Sequence, residues 1–370
     1  MDPLVEFCRG LTAEIRPQAA AIEEARRVPA GLMRRIAAQG LFRRGLPRVC
    51  GGEGDGPTSV LAAVAALACA DSSVGWCAMI SVTAAAFAAY MSPETARELF
   101  VADPQAIAAG VFAPRGRAER VGDRVRLSGR WEFASHCENA GWIGLGGLLT
   151  GGAEPAFRMF FVPMSAVQVV PRWDVLGLRG TGSHDVVADG VEVDERLVIS
   201  LGAVSAPVLP FFCSLALAVA AVALGVAEAA LEGFSAAARR VGAEPGARPL
   251  AARPAVQQGL AAATGRHAAA RAYLFDEASR AWDVVAGGAT LDVMARARLR
   301  LGACEVVRHC VAVVDAAYHD LGGATIRDGH AIQRRFRDIH TLTQHIMVGP
   351  AALDMAARVL AGVPVDTTTL

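Results

Sequence analysis

The chain has no excess of charge: 36 Lys and Arg stand against 36 Asp and Glu in 370 residues. Without a global field there is little to attract a polyanion, so neither nucleic acid nor an anionic membrane is expected as a partner. The eight cysteines form no C-x-x-C pair and no metal-ligand spacing, so no metal site is expected. Cys69, Cys77 and Cys213 lie in apolar runs, the pattern of buried, reduced thiols. The first residues, MDPLVEFCRG, lack the basic-then-apolar order of a secretion signal, and a cytoplasmic location is expected. No P-loop and no G-x-G-x-x-G opens a helix, so no nicotinamide site is expected either. Charge is also missing between Leu197 and Ala227, a stretch long enough to cross a bilayer. Pro207 and Pro210 interrupt its first part and no Lys/Arg cluster flanks it, so it predicts a helix buried on all sides.

Apolar residues, by contrast, make up 53% of the chain, enough for a large core and two or three packed subdomains. Their period changes twice. Helical spacing predicts helices over 3–14, 17–39, 58–70 and 74–91, with a Gly- and Pro-rich loop over 46–57 and a short helix capped by Ser92-Pro93. From 105 the period falls to two and predicts strands over 106–112, 120–134, 142–149, 157–163 and 166–171. After Ile199 helical spacing returns over 210–241, 254–286, 290–321 and 331–361, four long helices that suggest a bundle. The expected class is α+β, mostly α: an N-terminal helical domain over 1–104, a central, barrel-like β-domain over 105–200, and a C-terminal four-helix bundle over 201–370.

Between the two helical regions lies WDVLGLRGTGSHDVVADGVEV, from Trp173 to Val193. Gly177, Gly180 and Gly182 loosen the backbone before a run of valines, so Arg179, Thr181, Ser183 and His184 project from a bent loop. Such a loop can cradle a polarised ring or a phosphate, and it equally fits an ordinary Gly-rich hairpin.

Four segments in this order resemble the acyl-CoA dehydrogenase superfamily over almost the whole chain. They are VFAP (Val111 to Pro114), LSGRWEFASHCENAGW (Leu127 to Trp142), LRGTGSHDV (Leu178 to Val186) and GGATIRDGHAIQRRFRDIH (Gly322 to His340). The resemblance implies a flavin ring lying against Phe133-Ala134-Ser135-His136, with Phe112 in the preceding loop and Arg179, Thr181 and Ser183 from the turn. It places the helix of Trp76, Cys77, Met79 and Ile80 on the substrate side of that ring, with His136 beside it. As apolar residues at helical spacing, those four also fit a plain core.

Departures from the pattern select a branch. The position of the family's catalytic Glu is held by Gly329, and Asp328 next to it is turned by about 100° on a helix, so α,β-dehydrogenation lacks its base. The flavin-contacting Glu-Gly-Thr is replaced by Ile346-Met347-Val348. Beyond Arg337-Asp338, helical spacing puts Asp338, Thr341 and His345 on one face, beside a stripe of Phe336, Ile339, Leu342 and Ile346. This arrangement is similar to the flavin-dependent two-component monooxygenases of the same fold, which implies His345 and Ser135 as the catalytic pair near the flavin C4a. In that chemistry His345 supplies a proton or hydrogen bond to a flavin hydroperoxide, Ser135 holds flavin N5, and a dry pocket prevents loss of peroxide. His340 is rotated away from this face and is expected to serve structure.

The implied cofactor is reduced flavin, FMN or FAD, delivered by a separate reductase to oxygenate a small organic substrate, aromatic or polyketide-like. The loop 242–250 lacks the Arg and Phe-Gly by which FAD-binding members hold the adenine half, although Arg248 or Arg266 can still meet a phosphate. A homotetramer is expected, on the argument that the charge-free helix has more apolar surface than one bundle can cover. Two other readings stand beside this one: a dehydrogenase with an unorthodox base, and a catalytically silent subunit of the same fold.

Overall fold

The computed structural model describes every residue except 1, 153, 203, 205, 206 and 242–247. It begins with the short helices α1 (Pro3–Gly10), α2 (Thr12–Ile15), α3 (Ala19–Ala25) and α4 (Ala30–Ala38). The helix expected over 17–39 is broken. Arg26 turns into the left-handed region at φ 52°, its guanidinium meets the Trp173 carbonyl at 3.0 Å, and Pro29 opens the next helix. Two Ala-rich helices follow, α5 (Pro57–Ala70) and α6 (Ser72–Ala85), and then α7 (Pro93–Phe100). Asp71 caps α6 by accepting from the Ser73 and Val74 amides at 2.9 and 3.2 Å.

The strands are β1 (Ala108–Val121), β2 (Arg124–Ala134), β3 (Trp142–Thr150), β4 (Ala156–Pro163), β5 (Gln168–Val170), β6 (His184–Asp194) and β7 (Val198–Ile199). They form one sheet in the order β5-β6-β2-β1-β3-β4-β7, with only β1 and β3 parallel among its pairs. The strand expected over 120–134 is in fact a hairpin. Gly122 at φ 65° allows a tight turn with Val121 opposite Arg124, and β1 runs unbroken through Pro114. Three irregularities interrupt the ladders, between Val111 and Gly116 in β1 and, where β2 meets β6, between Leu127 and Gly129 and between Trp131 and Ala134.

Five further helices complete the chain: α8 (Phe211–Arg239), α9 (Pro254–Ala286), α10 (Val293–Leu321), α11 (Ala331–Leu342) and α12 (Pro350–Leu360). The segments Ser72–Tyr90 and Phe211–Arg239 are long and apolar enough to cross a membrane, yet 83% of each apolar window is buried inside the fold. Helix α8 approaches α5 so closely that a Cβ at Gly225 would strike the Ala65 carbonyl. Its apolar surface is thus covered within the chain, which removes the argument from this helix to an oligomer. The helix expected over 331–361 is also divided: α11 ends at Leu342, turns occupy 343–349, and Gly349-Pro350 starts α12.

Helix α11 ties the layers together. Arg335, 7% exposed, donates to the carbonyls of Ala68, Cys69 and Ala70 at 3.1, 2.9 and 2.8 Å and to Ser72 Oγ at 2.8 Å. It therefore satisfies the open carbonyl end of α5, where a cation also complements the helix dipole. Arg334 and Arg337 both pair with Glu23 of α3. Arg335→Ala leaves three carbonyls without their donor in a closed interior, so urea denaturation should show a loss of about 3 kcal/mol or more. Arg335→Lys should recover only part of that loss, because an ammonium cannot span the same fork.

Candidate active site

The site grows out of the irregular backbone. Phe133, His136 and Leu178 are three of the four described non-glycine residues with positive φ, at 62°, 64° and 53°, and all three border one region. The β1 bulge carries Phe112, and a Cβ at Gly146 would collide with the Phe112 carbonyl, so glycine is what admits the bulge. The turn at Leu178 is fixed from outside: its amide donates to Asp338 Oδ1 at 2.6 Å, and Gly177 lies directly against the Arg337 carbonyl. Burial, opposed by the Leu178 amide, pushes the Asp338 carboxyl up to about 6.

These elements enclose a cavity of about 430 Å³, which is within the range of small-molecule sites, roughly 300–1,000 Å³. Its walls are mostly apolar and aromatic, with Trp76, Ile80 and Phe87 on one side, Phe112 and Phe133 from the sheet, and Phe211 from α8. Phe133 is 68% exposed at the rim, with its ring edge-on to Trp173 at 6.2 Å. His184 does not reach the cavity. Its Nδ1 accepts from the Trp173 amide at 3.2 Å, so it holds the Trp173 loop.

A line of hydroxyls borders the cavity. Trp76 Nε1 donates to Ser135 Oγ at 3.0 Å, and Ser135 and Ser183 Oγ lie 2.6 Å apart. Ser183 Oγ is 2.7 Å from Thr181 Oγ1, which donates to the Leu178 carbonyl at 2.9 Å. Each hydroxyl has one proton. With the Thr181 proton on that carbonyl, Ser183 donates to Thr181 and Ser135 donates to Ser183. The second lone pair of the Ser135 oxygen is then left for the cavity.

His345 stands opposite, edge-on to Trp76 with ring centres 5.5 Å apart. It belongs to the turn after α11, closed by its own amide on the Leu342 carbonyl at 3.0 Å. Its Nδ1 accepts from the Met347 amide at 3.3 Å, which places the proton of the neutral ring on Nε2. Burial, followed by the Arg300 guanidinium, pushes its pKa down to about 4, so the ring is a neutral donor at ordinary pH. The only carboxylate lining the cavity among the described residues is Glu132, which is exposed and 4.0 Å from Arg115.

Comparison with known proteins gives the same picture. Residues 6–101 match the acyl-CoA dehydrogenase N-terminal domain and residues 217–350 the C-terminal domain. The chain is 30% identical to indole-3-acetate monooxygenase of Acinetobacter baumannii, covering 95% of this chain and 92% of that protein. It is also 30% identical to the oxygenase component of the FADH(2)-dependent resorcinol hydroxylase of Rhizobium sp., covering 93% and 90%. The crystal structure of the HsaA monooxygenase from M. tuberculosis superposes with a TM-score of 0.89, at 26% identity and 99% coverage of both chains. The chain belongs to the acyl-CoA dehydrogenase superfamily, among its flavin-dependent monooxygenases.

This monooxygenase is a flavin enzyme, and its cofactor is reduced flavin. The cavity fits a flavin ring, with flat aromatic walls for its faces and the remaining lone pair of Ser135 Oγ for a polar edge. Of the residues singled out in the sequence, the cavity gathers His345, Ser135, Thr181, Ser183, Phe112, Phe133, Trp76 and Ile80. It does not gather Met79, Ala134, His136 or Arg179. Met79 is fully buried core. Ala134 is buried in the ladder opposite His184, and His136 faces Ser81 Oγ at 3.1 Å. Arg179 turns to the Val175 carbonyl at 2.8 Å and toward Glu23 and Asp174. Ile346, expected in the core stripe, is 60% exposed at the rim. Neither Asp328 nor Gly329 lines the cavity, and loop 242–250 lies largely outside the described residues.

Trp173, Phe211 and Asp338 are the residues that sequence reasoning left without a role here. The buried acid one turn from a buried Arg on an amphipathic helix was the signal available for Asp338. A carboxyl whose folded pKa lies above its unfolded 3.8 stabilises the fold while protonated, and that contribution is lost as pH rises through about 6. Asp338→Asn keeps an acceptor for the Leu178 amide and removes the ionisation. Its unfolding free energy from urea denaturation should therefore gain on the wild type between about pH 4 and 7, by up to roughly 3 kcal/mol.

Proposed function

We propose that the protein is the oxygenase component of a two-component system, taking reduced FMN or FAD from a separate reductase and hydroxylating a small aromatic substrate. The observation that carries this is the pairing, across one aromatic cavity, of a neutral imidazole and a hydroxyl relay, with no enclosed carboxylate. The names of the relatives support it: indole-3-acetate monooxygenase and resorcinol hydroxylase take aromatic substrates by name. A dehydrogenase reading needs a carboxylate base in the cavity, and a silent subunit has no use for the polar pair. We place the protein in the cytoplasm, where eight buried free thiols stay reduced. We expect a homotetramer, for which the exposed Phe133, Leu176 and Ile346 offer apolar surface.

Bound flavin supplies the activation of oxygen, and the chain supplies its surroundings. Ser135 would accept from the N5–H that the reduced form carries and the oxidised form lacks. His345 Nε2–H would donate a hydrogen bond to the reacting oxygen. Trp76, Phe112 and Phe133 exclude the water that promotes peroxide loss. Phe112, Thr181 and Ser183 stand with Ser135 on the cofactor side, and Trp76 and Ile80 on the substrate side.

Ser183→Ala removes the acceptor of the Ser135 proton and lets that hydroxyl donate into the cavity. Equilibrium binding of both redox forms, with reduced flavin handled anaerobically, should show the preference for reduced over oxidised flavin falling about tenfold. His345→Ala should leave the fold intact and lower product formed per reduced flavin consumed by about tenfold, with hydrogen peroxide rising to match. Unchanged product yield in that variant would remove His345 from the chemistry. Because the imidazole is already neutral well above pH 4, wild-type coupling should show no histidine titration between about pH 6 and 8.

A further inference from the structure

Two more cavities adjoin the active-site cavity. One of about 90 Å³ lies between the N-terminal helices and α8, and one of about 510 Å³ lies between the chain near Pro207 and the α9–α10 turn. Thr83 faces the active-site cavity and the small one, while Tyr90 and Val208 face the small cavity and the outer one. Among the described residues Phe211 alone lines all three.

Phe211 is the first residue of α8, directly after Pro210. No intrahelical bond holds its amide, which meets the Tyr90 hydroxyl instead. Its ring is placed by packing, 4.4 Å from Phe87 and 6.4 Å from Phe112 between centres. We propose that this ring divides one apolar path in two and sets the largest aromatic substrate the enzyme accepts. The inference rests on the aromatic reading above and adds the residue that limits size. About 430 Å³ has to take both the flavin ring and the substrate ring, so the wall formed by Phe87 and Phe211 bounds the substrate. Of the two, only Phe211 has further space behind it, so only its truncation lengthens the site.

The test is an anaerobic equilibrium titration of protein saturated with reduced FAD, using indole as the two-ring probe and 9-phenanthrol as the three-ring probe. Wild type should bind indole and discriminate against 9-phenanthrol. Phe211→Ala should tighten 9-phenanthrol by about tenfold or more and leave indole within about threefold. Phe211→Leu, which keeps an apolar anchor, should move in the same direction and stands in if the alanine variant does not fold. Phe211→Trp should weaken indole. If folded variants lacking the ring bind 9-phenanthrol no better than wild type while indole still binds, the size-limiting role is overturned and the aromatic reading stands. If indole binds to none of the flavin-loaded proteins, the aromatic reading falls and this inference falls with it.

Discussion

The structure depends on the buried pair Arg335 and Asp338, which sit three residues apart on the inner face of α11 and act in different layers. Arg335 closes the carbonyl end of α5, and Asp338 holds the Leu178 amide at the foot of the sheet. A buried guanidinium is tolerable only when its donors are met, and here four oxygens meet them. The same helix grips α3 through Glu23. Three parts of the chain far apart in sequence are therefore located relative to one helix, and the turn that follows it carries His345 into the cavity.

Around that cavity the backbone departs from its regular forms. Two of the bulges, the left-handed Phe133 and Leu178, and the break after Leu342 converge on it, and the left-handed His136 stands behind it with its amide on the Thr181 carbonyl. Each departure costs of order 1–3 kcal/mol in isolation, and the surrounding contacts offset it. Leu178 is held by Asp338, and the Ser135 amide donates to the Phe133 carbonyl at 2.8 Å. The result is a site whose polar atoms come from turns and bulges while its walls come from helices, so it is rigid without being regular.

The cavity is also electrically quiet. Its imidazole is neutral, the hydroxyls of Ser135, Ser183 and Thr181 are hydrogen-bonded to one another, and the one lining carboxylate among the described residues, Glu132, is exposed. In a low-dielectric space of this kind a single hydrogen-bond donor or acceptor has more effect than in water. Control of a reactive oxygen species by such a site rests on direction and dryness rather than on charge.

The sequence by itself determined the class of each region, because the helical and strand periods are local properties and each persists over long runs. It also determined the family and, through it, part of the cavity: eight of the proposed residues line it. Tertiary structure alone decided the rest. Met79 lies three residues after Trp76 but on the buried side of α6, and Arg179 turns from the expected cradle to the nearby Val175 carbonyl and Asp174 and to Glu23 of the distant α3. Arg26 and Leu342 end helical runs that the period carried through; for Arg26 the partner that supports the break lies 147 residues away. His345 reaches the cavity from a turn rather than a helix face. The physical reason is common to all of these: propensity and period are summed over neighbours in sequence, whereas a hydrogen bond or a close packing contact across the fold is strong enough to override them at a single residue.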